Sequence, residues 1–111
     1  MIRPGSVVWI DLDPIRGRKQ GGRRPAVVVS SENHLVAATT VVTLVPATSR
    51  DRGWPNHVAL QGPTGLDVPT FAMTEQVRTI ARDRVVHVSG EIEEAPLDEI
   101  CRWVRRWLAC G

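Results

Sequence analysis

The sequence predicts a mainly β domain of the α+β class, with about five to seven short antiparallel strands in a strongly bent sheet or barrel and one helix laid across it. Three observations carry this. Up to residue 90 the apolar runs are short, rich in valine and threonine, and punctuated by Gly and Pro. After Glu93 the pattern changes to helical spacing. The 111 residues suit one domain, 1–111, and contain no internal repeat or low-complexity stretch.

The elements follow in order. Val7–Leu12, entered through Pro4-Gly5, reads as the first strand. A loop from Asp13 to Arg23 follows, with Gly21-Gly22 as its turn signal. Pro25–Ser30 is a second strand whose valine run predicts burial on both faces. Glu32–Ala38 is a connection, and Thr39–Val45 a β-branched third strand closed by Pro46. Ala47–Pro55 is a polar loop, His57–Leu60 a short strand, and Gly62-Pro63-Thr64-Gly65 a turn. Thr70–Ile80 and Val85–Ser89 are the last strands, separated by Arg82-Asp83.

In the tail, Leu97, Ile100, Cys101, Val104, Trp107 and Leu108 form an apolar stripe. Pro96 suits the first turn of this helix. Glu93, Glu94, Asp98 and Glu99 complement its positive end, and Arg102, Arg105 and Arg106 its negative end. Trp103 lies off the stripe, so it is exposed or at an interface. Trp9 and Trp107 are expected in the core.

The net charge of +2 is too mild to signify nucleic-acid binding, but its distribution is uneven. Arg16, Arg18, Lys19, Arg23 and Arg24 fall in a stretch without an acid, beside a strand, and such a cluster attracts phosphates. No apolar stretch reads as a signal peptide or a membrane span, so the expected location is the cytoplasm. Cys101 and Cys110 form neither a zinc pattern nor a disulfide framework.

Four segments, taken in order, resemble the MazF/PemK toxins. Gln20-Gly21-Gly22-Arg23-Arg24-Pro25 is similar to that family's Gln-(Gly/Ala)-Gly-X-Arg-Pro motif. Pro4–Pro14 looks like its opening strand. Val45-Pro46-Ala47-Thr48-Ser49 with Gly53-Trp54-Pro55 looks like its second motif, and Glu75–Ile80 like its third. The match runs from about residue 4 onward.

The resemblance implies a small SH3-like barrel of antiparallel strands with a C-terminal helix, shared by MazF and CcdB toxins, and a two-fold homodimer. It implies the toxin of a type II toxin–antitoxin system, an mRNA interferase that cleaves single-stranded RNA (mRNA, or else tRNA or rRNA) at short sequences with no metal or cofactor. Its partner would be an antitoxin whose C-terminal segment covers the RNA groove. The family's catalytic arginine falls on Arg24 and its catalytic hydroxyl on Thr48. Gln20, Glu75 and Gln76 match groove positions. Many relatives carry Ser-Glu where this chain has Arg18-Lys19, so an acid gives way to base at the lip of the site, and Arg18 and Lys19 become candidate RNA contacts.

The chemistry these residues permit is attack by the ribose 2′-OH, leaving a 2′,3′-cyclic (or 3′-) phosphate and a 5′-OH. Arg24 offers a charged fork for two phosphate oxygens, and Thr48 or its neighbour Ser49 a hydroxyl donor. Arginine is a poor base, since its pKa exceeds about 12. The group that takes the 2′-OH proton therefore stays open, with Glu75 a candidate. Trp54, beside Arg50 and Arg52, is a platform for a base or else a cap on the barrel. His34, His57 and His87 stand in separate segments, and His57 is better read as structural than catalytic. Two other functions stay open: a CcdB-like gyrase-poisoning toxin acting through its C-terminal helix, and a non-catalytic RNA-binding module. Asp11 and Asp13 lie close together, but no carboxylate cluster favours a metal-dependent nuclease.

Overall fold

The computed structural model describes residues 1–11 and 22–110. Its centre is a valine-rich antiparallel sheet formed by β1 (Ser6–Asp11), β2 (Arg23–Val28), β3 (Val41–Thr48), β4 (His57–Ala59), β5 (Phe71–Met73), β6 (Arg78–Ala81) and β7 (Val85–Glu91). The order is β4-β5-β3-β2-β1-β7, and β6 also pairs with β3. Helix α1 (Glu32–Ala37) joins β2 to β3, and α2 (Glu94–Trp107) follows β7. The mainly β reading with a C-terminal helix therefore holds.

Both faces of the sheet are covered. Val8, Ile10, Ala26, Val28, Val42 and Leu44 point to one side, where Leu35 of α1 and Ile80 close over them. Val7, Val27 and Val45 point to the other, against Ile100 of α2, Val58 and Ala72. Successive strand residues alternate sides, so a strand buried on both faces reads as an unbroken apolar run.

Several boundaries differ from the sequence expectation. Pro46 does not close the third strand; β3 continues to Thr48. One edge of β3 pairs with β6 through Val41–Leu44 and with β5 through Ala47 and Thr48, so Pro46 falls at the changeover, where a missing N–H breaks no ladder. The expected strand Thr70–Ile80 is two strands, split by a 3-10 turn at Thr74–Gln76. The connection at 32–38 is mostly helix. The Ser31 hydroxyl accepts from the His34 N–H at 3.1 Å at its start. The Arg82 guanidinium donates to the carbonyls of Leu35, Ala38 and Val41 at its end.

The inward line of α2 is Pro96 and Ile100, both buried, with Leu97, Trp103 and Val104 partly buried around them. This line is rotated from the expected stripe, leaving Leu108 at its edge and 51% exposed. Trp103 therefore packs against the core. Trp107, expected in the core, is 45% exposed. Its indole N–H still donates to the Thr74 hydroxyl at 3.1 Å, fastening the helix to the 3-10 turn.

Gly65 and Gly90 bring the 62–65 turn onto β7. Gly65 has φ +76°, and a Cβ there would strike the Ser89 carbonyl; one at Gly90 would strike that of Pro63. The Ser89 hydroxyl completes the clamp by donating to the Thr64 carbonyl at 2.8 Å.

Candidate active site

The cleft of interest begins where two neighbouring strands stop pairing. β2 and β3 are paired from Val28↔Leu44 to Ala26↔Pro46. Continuing this register sets Arg24 opposite Thr48. Pro25 lacks an N–H, which thins the ladder at this end of the pair. A cleft of about 490 Å³ opens there, lined by Arg23, Arg24, Thr48 and Ser49, among others.

Each polar group here is left available. Arg23 and Arg24 are exposed, and neither has an ion-pair partner among the described residues. The Thr48 hydroxyl oxygen accepts from the Arg50 N–H at 3.1 Å. That contact orients the side chain and leaves its hydrogen free to donate. Ser49 is exposed beside it, so the two hydroxyls share the cleft wall.

The rest of the lining was not legible as a site. It consists of Leu66, Asp67, Val68 and Thr70, with Trp9 and Pro25 beside them. Trp9 is only half-buried and stacks on His87 at 6.4 Å between ring centroids. Its pairing opposite Pro25 carries it to the cleft rather than into the core as expected. Apolar and aromatic surface beside two guanidinium groups suits a ligand with both a flat ring and a phosphate.

Glu75 belongs to a different cluster, on the 3-10 turn. Its carboxylate accepts from Asn56 Nδ2 at 2.8 Å and meets His57 Nε2 at 3.1 and 3.2 Å. Partial burial opposes the charged form of Glu75. Its own backbone N–H, the His57 ring and the Asn56 amide outweigh that and hold the carboxyl below its ordinary value. His57 is buried, and its Nδ1 has no hydrogen-bond partner among the described residues. These contacts make His57 a structural partner of Glu75.

Trp54 is 47% exposed and tilts against the His57 ring at 4.7 Å, with the Arg52 guanidinium 5.4 Å from its own centroid. It caps the His57–Glu75 pair from outside and keeps part of its ring open. Gln76 is exposed on the same turn. Arg24, Thr48 and Ser49 are thus together in one cleft, whereas Trp54 and Glu75 form a second group. Arg18, Lys19 and Gln20 lie outside the described residues. Among the described residues, no group of three or more His, Cys, Asp or Glu side chains is arranged to hold a metal. No described helix is long and apolar enough to cross a membrane.

Known proteins share this architecture and sequence. Endoribonuclease MazF9 of Mycobacterium tuberculosis is 39% identical over 106 residues, covering 90% of each chain. The endoribonuclease toxin MazF of Escherichia coli K12 is 38% identical over 77 residues, covering 69% of this chain and 66% of the relative. A crystal structure of MazE-MazF from Deinococcus radiodurans superposes with a TM-score of 0.83 at 28% identity, over 99% of this chain and 97% of that one. The model of the PemK-like, MazF-like toxins of type II toxin–antitoxin systems matches residues 3–108. The chain belongs to the PemK/MazF family of toxins.

Proposed function

We propose that this chain, an endoribonuclease toxin by family, cleaves single-stranded RNA without a metal ion, with Arg24 and Thr48 acting on the scissile phosphate. The observation that carries this reading is the strand-end cleft. A guanidinium without an ion-pair partner among the described residues and an oriented hydroxyl line it from facing strands.

Arg24 grips two phosphate oxygens with its planar fork and stabilises the charge that builds on phosphorus as the 2′-oxygen attacks. The Thr48 hydroxyl donates to the same group, with Ser49 as the alternative donor. The P–O5′ bond breaks, leaving a 2′,3′-cyclic phosphate (or, after hydrolysis, a 3′-phosphate) and a 5′-OH. Rigid placement matters because a misaligned phosphate forfeits most of the advantage of proximity. Here β2 and β3 provide that rigidity.

Further along the strand, Trp54 stacks a base on its open face, and Gln76 and Ser49 contact bases or sugars. Glu75 lines the groove through its turn, fixed by His57 and Asn56. Arg18, Lys19 and Gln20 supply further contacts from the adjoining segment. Single-stranded mRNA is the expected substrate, with tRNA and rRNA as the other targets of the same chemistry.

The Deinococcus relative was solved as a MazE-MazF complex. A cognate antitoxin, seating its C-terminal segment over the groove, is accordingly the partner we propose here, and the working unit is a homodimer. The decisive experiment is RNA cleavage by the purified chain in EDTA with end-group analysis, wild type beside Arg24→Ala. Cleavage leaving a 5′-OH and lost in the variant supports the reading. A folded wild-type chain that binds but never cuts a diverse RNA pool makes it a non-catalytic RNA binder. Toxicity that survives Arg24→Ala points to a gyrase-directed toxin.

A further inference from the structure

The cleavage reading leaves one chemical role empty: something must take the proton of the attacking 2′-OH. An arginine side chain is a poor proton acceptor. Glu75 is committed to His57 and Asn56, its carboxyl is held below its ordinary value, and it does not line the cleft. Asp67 is the one acidic side chain among the described residues of the cleft wall.

Three observations bear on Asp67. It shares a cleft with Arg23, Arg24 and Thr48 but has no hydrogen bond or ion pair with another described residue. Its segment is fastened on both sides. Before it, the Leu66 N–H donates to the Thr64 hydroxyl at 3.2 Å, and Gly65 is locked against Ser89. After it, the Thr70 carbonyl accepts from the Leu60 N–H at 2.9 Å. The carboxylate is therefore exposed, uncommitted and part of the lining of the same cleft as Arg24 and Thr48.

Resting on the cleavage reading above, we propose that Asp67 is the catalytic base that accepts the 2′-OH proton. The 2′-oxygen then forms its bond to phosphorus as the P–O5′ bond breaks. Water entering from the open side of the cleft protonates the departing 5′-oxygen, and Asp67 returns its proton to solvent. No net proton is gained or lost. The carboxylate takes over a task for which Arg18-Lys19 offers no acid in sequence.

The test uses an oligonucleotide recovered as a substrate from a random single-stranded RNA pool, together with its uncleavable version carrying a 2′-deoxy sugar at the cut. Wild type, Asp67→Asn and Asp67→Glu are compared in EDTA from acid to alkaline pH. Asp67→Asn should lower kcat roughly 100-fold or more. Affinity for the 2′-deoxy oligonucleotide should hold or rise, because a negative charge is removed. The wild-type rate should fall in acid with a one-proton slope that Asp67→Asn lacks, and Asp67→Glu should recover part of the rate with the slope intact. The inference is overturned if Asp67→Asn keeps kcat within a few-fold of wild type, retains the acid limb, or loses activity only by binding RNA more weakly. A wild-type chain that cuts no RNA overturns the cleavage reading and this inference with it.

Discussion

The strand-end cleft and the 3-10 turn both carry residues of the same motif set, yet they treat polar groups in opposite ways. In the cleft, the side chains of Arg23, Arg24 and Asp67 are exposed and form no ion pair with another described residue. At the turn, the Glu75 carboxylate, the Asn56 amide, the Thr74 hydroxyl and the Trp107 indole N–H all have partners. An exposed charge is solvated and costs little to leave unpaired, whereas the buried Thr74 hydroxyl and His57 ring at the turn call for partners, and Glu75 and Asn56 supply them. The cleft thus keeps donors ready for a ligand, while the turn spends its groups on joining β4, β5 and α2. Motif membership alone does not tell which side chains are held by partners and which are left open to a ligand; the structure does.

That contrast has measurable consequences. The largest should come from Arg24→Ala, which should cut the cleavage rate by roughly 100- to 1,000-fold, or about 3–4 kcal/mol of transition-state stabilisation. Its melting temperature should stay close to wild type, since the side chain packs against nothing it would leave unpaired. Single-turnover rates beside thermal melts check both halves. A large drop in melting temperature would place Arg24 with the anchoring group.

Gly65→Ala should destabilise the fold by about 2 kcal/mol or more, because a Cβ meets the Ser89 carbonyl at positive φ. It should also impair cleavage, since the same turn carries the Asp67 wall. Urea titration would measure the first effect and RNA cleavage well below the unfolding range the second. Unchanged stability would mean that the turn is not clamped.

Glu75→Gln should act mainly on stability, by about 1 kcal/mol given the partial exposure of the pair. The wild-type carboxyl titrates below its ordinary value in the folded state. Its contribution is therefore full above the unfolded value of about 4.3 and is lost as pH falls through the lower folded value. Acid unfolding curves should show Glu75→Gln losing less stability than wild type in that window. Equal slopes would show that the His57 and Asn56 contacts do not favour the ionised form. The smallest effect is expected for Trp107→Phe, about 0.5–1 kcal/mol for the bond to Thr74, read by urea denaturation.

Much of this could be read along the chain. The valine runs declared doubly covered strands, Gly62 to Gly65 a turn, and the tail an amphipathic helix. Arg24 and Thr48 were candidates before the fold was described, through the motifs around them. Three features were hidden, each for a physical reason. Pro46 looked like a strand end because a missing donor usually breaks a ladder, but it falls where β3 changes partner. Trp103 and Trp107 were misassigned because the stripe was centred one helical position away from the line that meets the sheet. Arg82, which separated two strands on paper, binds three carbonyls of α1 and its flank, each distant in sequence.

The sequence by itself determined the mainly β class with a C-terminal helix, the family and the candidate cation and hydroxyl. Those depend on local periodicity and on short motifs, which a linear chain displays directly. Only the tertiary structure decided which side chains share a cleft. Trp9, Arg24, Thr48 and Asp67 come from four separate segments, and they meet because β1, β2 and β3 pair in one register while the 65–70 segment folds over their ends. Likewise, whether Glu75 is free or committed depends on a histidine and an asparagine brought to it by β4, and no spacing along the chain contains that information.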